Sequence, residues 1–177
     1  VITSKFSPCF LIKSIRKKNK VKVLRFKNIK FDKITEFELN NLETYNDPNR
    51  NLTKKFQWHK LHLFDEYMKN WDYIFYLDIN MNIHSDINRI LALTPENSFM
   101  ARSDTYPNHD RELKTQFDQS HPIYVELEKN YDLSVNDYFQ TGVMYFDTKI
   151  ISKHTKNQII DLVNKYPISK TNEQGTL

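Results

Sequence analysis

Asp78 and Asn80 are the residues whose type and place best suit chemistry, because they follow directly on the apolar run Tyr73-Ile74-Phe75-Tyr76-Leu77. A run of that length and character reads as a strand buried on both faces. In open α/β sheets, ligands sit beyond the carboxyl ends of the strands. In extended chain, residues two apart point the same way. Two oxygen-bearing side chains converging there can share a divalent cation. Mg²⁺ or Mn²⁺ held by one or two such groups completes its shell with water and substrate phosphates. The same pair also suits a plain turn after a strand, and this segment alone leaves both readings open.

The elements that must position the pair alternate strand with helix. Residues 1–3 form a short first strand, and Val21, Val23 and Arg25 alternate with Lys22, Leu24 and Phe26 as a partly buried strand does. The stretch 40–51, rich in Asn, Asp and Pro, is an exposed loop. Over 52–68 the spacing turns helical, with Trp58, Leu61, Phe64, Tyr67 and Met68 on one stripe. Ser85 opens a short helix through Ile87, Ile90 and Leu91, with Asp86 suited to the helix dipole. A strand over 98–101 and a polar loop over 104–120 follow. Pro122 opens a helix over 122–131, residues 142–146 form a further strand, and Ser152 caps a last helix ending near Pro167. This order predicts one α/β domain over 1–177, with a mostly parallel central sheet flanked by helices.

Composition narrows the partners. The chain has 177 residues, enough for one core, and no apolar run approaches the roughly 18 residues of a membrane span. Gly142 and Gly175 are its only 2 glycines, so both glycine-rich phosphate loops, G-x-G-x-x-G and G-x-x-x-x-G-K-[ST], are excluded. A bound nucleotide must have its phosphates held in another way, for which a metal ion is the obvious means. Lysine and arginine number 26 against 22 acidic residues, an excess of 4 that favours anionic partners. Much of it crowds into Lys13, Arg16, Lys17, Lys18, Lys20 and Lys22, which also fits a solvated face. The single Cys9 rules out an internal disulfide framework and a multi-cysteine zinc site. Asn51-Leu52-Thr53 matches the N-glycosylation pattern, which has meaning only in a secreted protein.

Four segments together resemble glycosyltransferases of the GT-A fold, in particular glycogenin- and galactosyltransferase-like members. They are Lys55-Phe56-Gln57-Trp58-His59-Lys60-Leu61, then Trp71-Asp72-Tyr73-Ile74-Phe75-Tyr76-Leu77-Asp78-Ile79-Asn80 with Ser85-Asp86-Ile87 and Leu91 after it, then Tyr138-Phe139-Gln140-Thr141-Gly142-Val143-Met144-Tyr145-Phe146, and finally Glu173-Gln174. They occur in the family's order over residues 55–177. The resemblance implies a Rossmann-like domain that moves a sugar from a nucleoside diphosphate, UDP above all, to a hydroxyl of a glycan or protein acceptor. By the same resemblance Asp78 and Asn80 would bind Mn²⁺ or Mg²⁺, and Lys60 would look toward the diphosphate. Arg102, Asp104, Gln140, Thr141, Gly142 and Gln174 would meet the donor sugar. Thr3 and Ser4 would meet the nucleotide base or ribose. Glu173 would bind the acceptor hydroxyl or act as general base.

The chain departs from the family in two places. The family's metal motif is Asp-x-Asp, and here Asn80 takes the second position, supplying an oxygen but no charge. Many relatives also supply a metal-binding histidine from beyond the Asp-Gln pair, so a further C-terminal segment is expected after Leu177. None of His59, His62, His84, His109, His121 or His154 occupies that place. Asn80 keeps alive a second reading, a GT-A-like domain that binds nucleotide or glycan without catalysis. A basic nucleic-acid-binding module is the third, set aside because most aromatics fall on core positions of helices and strands. Oligomeric state and compartment stay open, membrane association depending on regions outside this chain.

Overall fold

The computed structural model describes residues 2–4, 24–42, 56–79 and 81–177, with the backbone alone for 2–4. Cys9, the basic run 13–22, the Asn51-Leu52-Thr53 pattern and Asn80 lie outside the described residues. The architecture is mixed α/β. Strands β1 (Ile2–Ser4) and β2 (Leu24–Phe26) pair in parallel, with Ile2 opposite Leu24 and Ser4 opposite Phe26. A second sheet holds β3 (Tyr73–Leu77), β4 (Phe99–Ser103) and β5 (Phe139–Asp147), in the order β3-β5-β4.

This second sheet corrects the expectation of a mostly parallel one. β3 and β4 run the same way, as an α/β crossover demands, but β5 lies between them antiparallel to both. The cause is the return path of the chain. After β4, the excursion 104–138 comes back to its own starting point, where the Asp104 N–H donates to the Tyr138 carbonyl at 2.9 Å. β5 therefore enters beside the end of β4, with Ser103 opposite Phe139, and runs back along it.

Four α-helices are described: α1 (Lys33–Asn41), α2 (Asn88–Leu91), α3 (Tyr124–Asn130) and α4 (Thr155–Lys165). The sequence reading had no helix at α1. Its signal is Asp32, whose carboxylate accepts from the Thr35 N–H at 2.7 Å, with Glu36 in the first turn. Among the described residues no helix is long and apolar enough to cross a membrane.

Of the helix expected over 52–68, residues 52–55 lie outside the described residues, Phe56 and Gln57 are α-helical, and the rest is wound as 3₁₀ over Trp58–Phe64 and Glu66–Asn70. The tighter winding places residues three apart on one face, so Trp58, Leu61 and Phe64 are all buried. Phe64 stacks on Phe146 with centroids 5.4 Å apart, and Leu63, Met68, Met144 and Ile151 complete that cluster. Leu39, Trp58, Leu61 and Val163 form a second core patch between α1 and α4.

Winding in threes also pairs His59 with His62. The His59 Nε2 meets Asn28 Oδ1 at 3.1 Å, and the His62 Nε2–H donates to the Lys27 carbonyl at 2.9 Å. His62 Nδ1 faces the Lys156 ammonium at 3.4 Å, and that ammonium also donates to Asp65 at 2.6 Å. Burial, together with the Lys156 charge, holds His62 neutral and pulls its pKa from 6.5 down to about 4. The unfolded chain therefore binds a proton below pH 6.5 that the folded chain refuses until about pH 4. Stability is complete above that window and falls as the pH drops through it, by about 3 kcal/mol from this group. Thermal unfolding measured from pH 7 to 4 is expected to show this decline, and His62→Gln to flatten it.

Candidate functional site

Lys60 is the residue around which the site assembles. Its ammonium lies 3.2 Å from each carboxylate oxygen of Asp78, 2.9 Å from Glu173 Oε1 and 3.1 Å from the Thr141 hydroxyl. The Thr141 hydroxyl in turn donates to Glu173 Oε1 at 2.8 Å. The Tyr76 hydroxyl donates to Asp78 Oδ1 at 2.6 Å. Burial first, and the Asp78 carboxylate second, push the Tyr76 phenol far above its ordinary range, so it stays protonated and keeps donating.

Each group is delivered by a different element. The 3₁₀ winding of Trp58–Phe64 puts Lys60 on a different face from Trp58, Leu61 and Phe64 and from His59 and His62. Asp78 directly follows β3, where its N–H donates to the Gly142 carbonyl at 2.9 Å and prolongs the ladder by one residue. Gln140, Thr141 and Gly142 lie near the start of β5. Glu173 and Gln174 lie in the 3₁₀ turn Asn172–Gly175, entered through Asn172 at φ 56°. Asparagine tolerates that left-handed conformation, and here its side-chain amide is anchored on the Gln57 side chain while its carbonyl accepts from Ser169 at 2.6 Å.

A second network adjoins the first. Asp104 accepts from the Gln140 amide at 2.5 Å and from the Gln174 amide at 3.2 Å. Both networks line one cleft of about 360 Å³, whose walls also include Gln57, Met81, Gln116, Thr171 and Asn172. A separate apolar hollow of about 390 Å³, among Leu113, Phe117, Leu127 and Tyr166, shares Gln174 with the cleft and holds no chemistry of its own.

Of the residues singled out in the sequence, Lys60, Asp78, Asp104, Gln140, Thr141, Gly142, Glu173 and Gln174 meet in this cleft. Arg102 does not: it is exposed and is not part of the cleft wall. Thr3 and Ser4 lie in β1, beside Arg25 and Phe26 of β2. Tyr76 was missed, although the two-residue alternation that singled out Asp78 also places Tyr76 on its side. Gln116 and Thr171 carried no signal in the sequence.

Both glycines serve close approach. A Cβ on Gly142 would come within 2.7 Å of the Met81 methyl and 3.4 Å of Asp78 Oδ2. One on Gly175 would lie 2.5 Å from the Ser169 hydroxyl oxygen.

Asp78, Asp104 and Glu173 place three carboxylates in the cleft wall against the one ammonium of Lys60. Counted over the described residues, the cleft wall is therefore short of positive charge. Among the described residues no three His, Cys, Asp or Glu side chains gather closely enough to hold a metal ion by themselves. No family model, curated protein or solved structure matches the chain.

Lys60 and Glu173 are both largely buried, so removing one leaves the other's charge uncompensated. Lys60→Met is expected to cost about 3 kcal/mol in urea unfolding. Adding Glu173→Gln to that variant should recover much of the loss, because the stranded carboxylate is then gone.

Proposed function

We propose that the cleft is the donor site of a GT-A-like glycosyltransferase that moves a sugar from a nucleoside diphosphate, UDP above all, to an acceptor hydroxyl. The observation that carries this reading is the convergence of Lys60, Asp78, Thr141 and Glu173. Each of the four segments that resemble the family supplies one of them, and Asp78, Thr141 and Glu173 all lie within 3.2 Å of the Lys60 ammonium.

The oxygen donors and the excess of negative charge suit a hard divalent cation such as Mn²⁺ or Mg²⁺. Asp78, with Asn80, would hold it, substrate phosphates and water filling the remaining positions. The ion would act as a Lewis acid on the leaving diphosphate. Lys60 is the protein's own cation for the same charge. In the transfer, the acceptor oxygen bonds to the anomeric carbon as the bond from that carbon to the diphosphate oxygen breaks. The diphosphate leaves with the electron pair. The acceptor proton passes to a base, the role the resemblance gives to Glu173 of the cleft wall.

A second reading is a cleft that binds nucleotide or glycan without transfer. Its support is that the Lys60 ammonium already engages both oxygens of Asp78.

Calorimetric titration of UDP and GDP, with and without Mn²⁺, tests the first reading. Micromolar binding that requires Mn²⁺ and falls at least about tenfold in Asp78→Ala is expected. No nucleotide binding would sink it. Hydrolysis of UDP-hexoses separates the two readings, since a binding domain leaves the donor intact.

A further inference from the structure

The Lys60 ammonium, the Thr141 hydroxyl and Glu173 Oε1 close a triangle. The ammonium lies 3.1 Å from the hydroxyl oxygen and 2.9 Å from Oε1, and the hydroxyl donates to that same Oε1 at 2.8 Å. A threonine hydroxyl has one proton to give and two lone pairs. The proton is committed to Glu173 and one lone pair to Lys60. The residue is also only 2% exposed. The resemblance implies that Thr141 meets the donor sugar, but a hydroxyl so engaged has no proton left for a ligand.

Its place in the fold gives it another part. Glu173 stands in the turn Asn172–Gly175, outside any sheet, and Lys60 carries its charge at the end of a flexible four-carbon stem. Neither has a stiff mount of its own. Thr141 belongs to β5, and its branched Cβ restricts χ1. The neighbouring Gly142 carbonyl accepts from the Asp78 N–H at 2.9 Å. Two consecutive residues of β5 therefore order the two carboxylates that share the ammonium, Gly142 through the backbone of Asp78 and Thr141 through the side chain of Glu173. Without the hydroxyl, the Lys60–Glu173 pair keeps its attraction and loses its fixed direction.

We infer that Thr141 is a positioning residue. It touches no sugar, and it acts on a bound nucleotide sugar only through Lys60 and Glu173, whose charged ends its hydroxyl holds together. The inference rests on reading the cleft as a donor site in which Lys60 meets the diphosphate.

The test uses the full chain with Thr141→Val, which keeps the shape and removes the hydroxyl, and Thr141→Ser, which keeps the hydroxyl. UDP and a panel of UDP-hexoses are titrated by calorimetry in Mn²⁺. Thr141→Val is expected to weaken UDP and the preferred UDP-hexose by the same factor, about tenfold, and Thr141→Ser to restore most of the loss. A loss confined to the UDP-hexose, or larger for it than for UDP, makes Thr141 a sugar contact and overturns the inference. Wild-type affinities in Thr141→Val overturn it too, as does a serine variant no better than valine, since the methyl's packing would then carry the effect.

A second measurement needs no nucleotide. Thr141→Val is expected to raise the urea unfolding constant about tenfold in the wild-type chain. It should leave that constant nearly unchanged in Lys60→Met with Glu173→Leu, where apolar side chains of similar shape replace the pair. Thr141→Ser should match threonine in the wild-type background. An equal cost of valine in both backgrounds means the hydroxyl does not act through the pair, and overturns the inference whatever the titrations give. If UDP does not bind at all, the transferase reading falls, and these unfolding constants alone decide the role of Thr141.

Discussion

A single ammonium shared by two carboxylates organises this molecule. Taking a lysine out of water is expensive, and a charge that deep survives only where oxygens replace its hydration shell. Lys60 finds those oxygens on Asp78, Thr141 and Glu173. That one requirement sets the end of β3, the start of β5, the 3₁₀ segment Trp58–Phe64 and the turn Asn172–Gly175 against each other. The surrounding devices serve it. The Tyr76 hydroxyl takes up further charge on Asp78, Gly142 leaves room for the Asp78 carboxylate, and Asn172 bends the chain so that Glu173 arrives beside the ammonium.

The neighbourhood was legible in the sequence to an unequal degree. Asp78 was accessible because an acidic residue closing an apolar run is a local signal. Lys60, Thr141 and Glu173 were accessible only through the order of four segments, since no spacing between them predicts contact across more than a hundred residues. The direction of β5 was hidden, because Gly142-Val143-Met144-Tyr145-Phe146 reads the same in a parallel or an antiparallel sheet. The 3₁₀ winding was hidden for a related reason: Trp58, Leu61 and Phe64 fit both a three-residue and a 3.6-residue period over so short a stretch. Gln116 shows the limit most sharply. It stands in a polar stretch that reads as surface loop, and its burial follows from the return of the chain to β5, which the sequence does not announce.

The central position of β5 has a mechanical consequence. The strand that carries Thr141 and Gly142 also carries Met144 and Phe146, both fully buried; it is paired along both edges over residues 144–146, while Thr141 and Gly142 lie at a register break opposite Ala101 and Arg102. Over residues 144–146 the amides can open only when the sheet itself comes apart, so hydrogen exchange just beyond the wall is tied to global unfolding. The facing wall is a single turn, Asn172–Gly175, outside any sheet. The two sides of the cleft thus differ in stiffness: one is an anvil fixed by the core, and the other is a short lip that can yield. Whatever enters the cleft is measured against the fixed side, and any adjustment to its shape falls on the turn that holds Glu173.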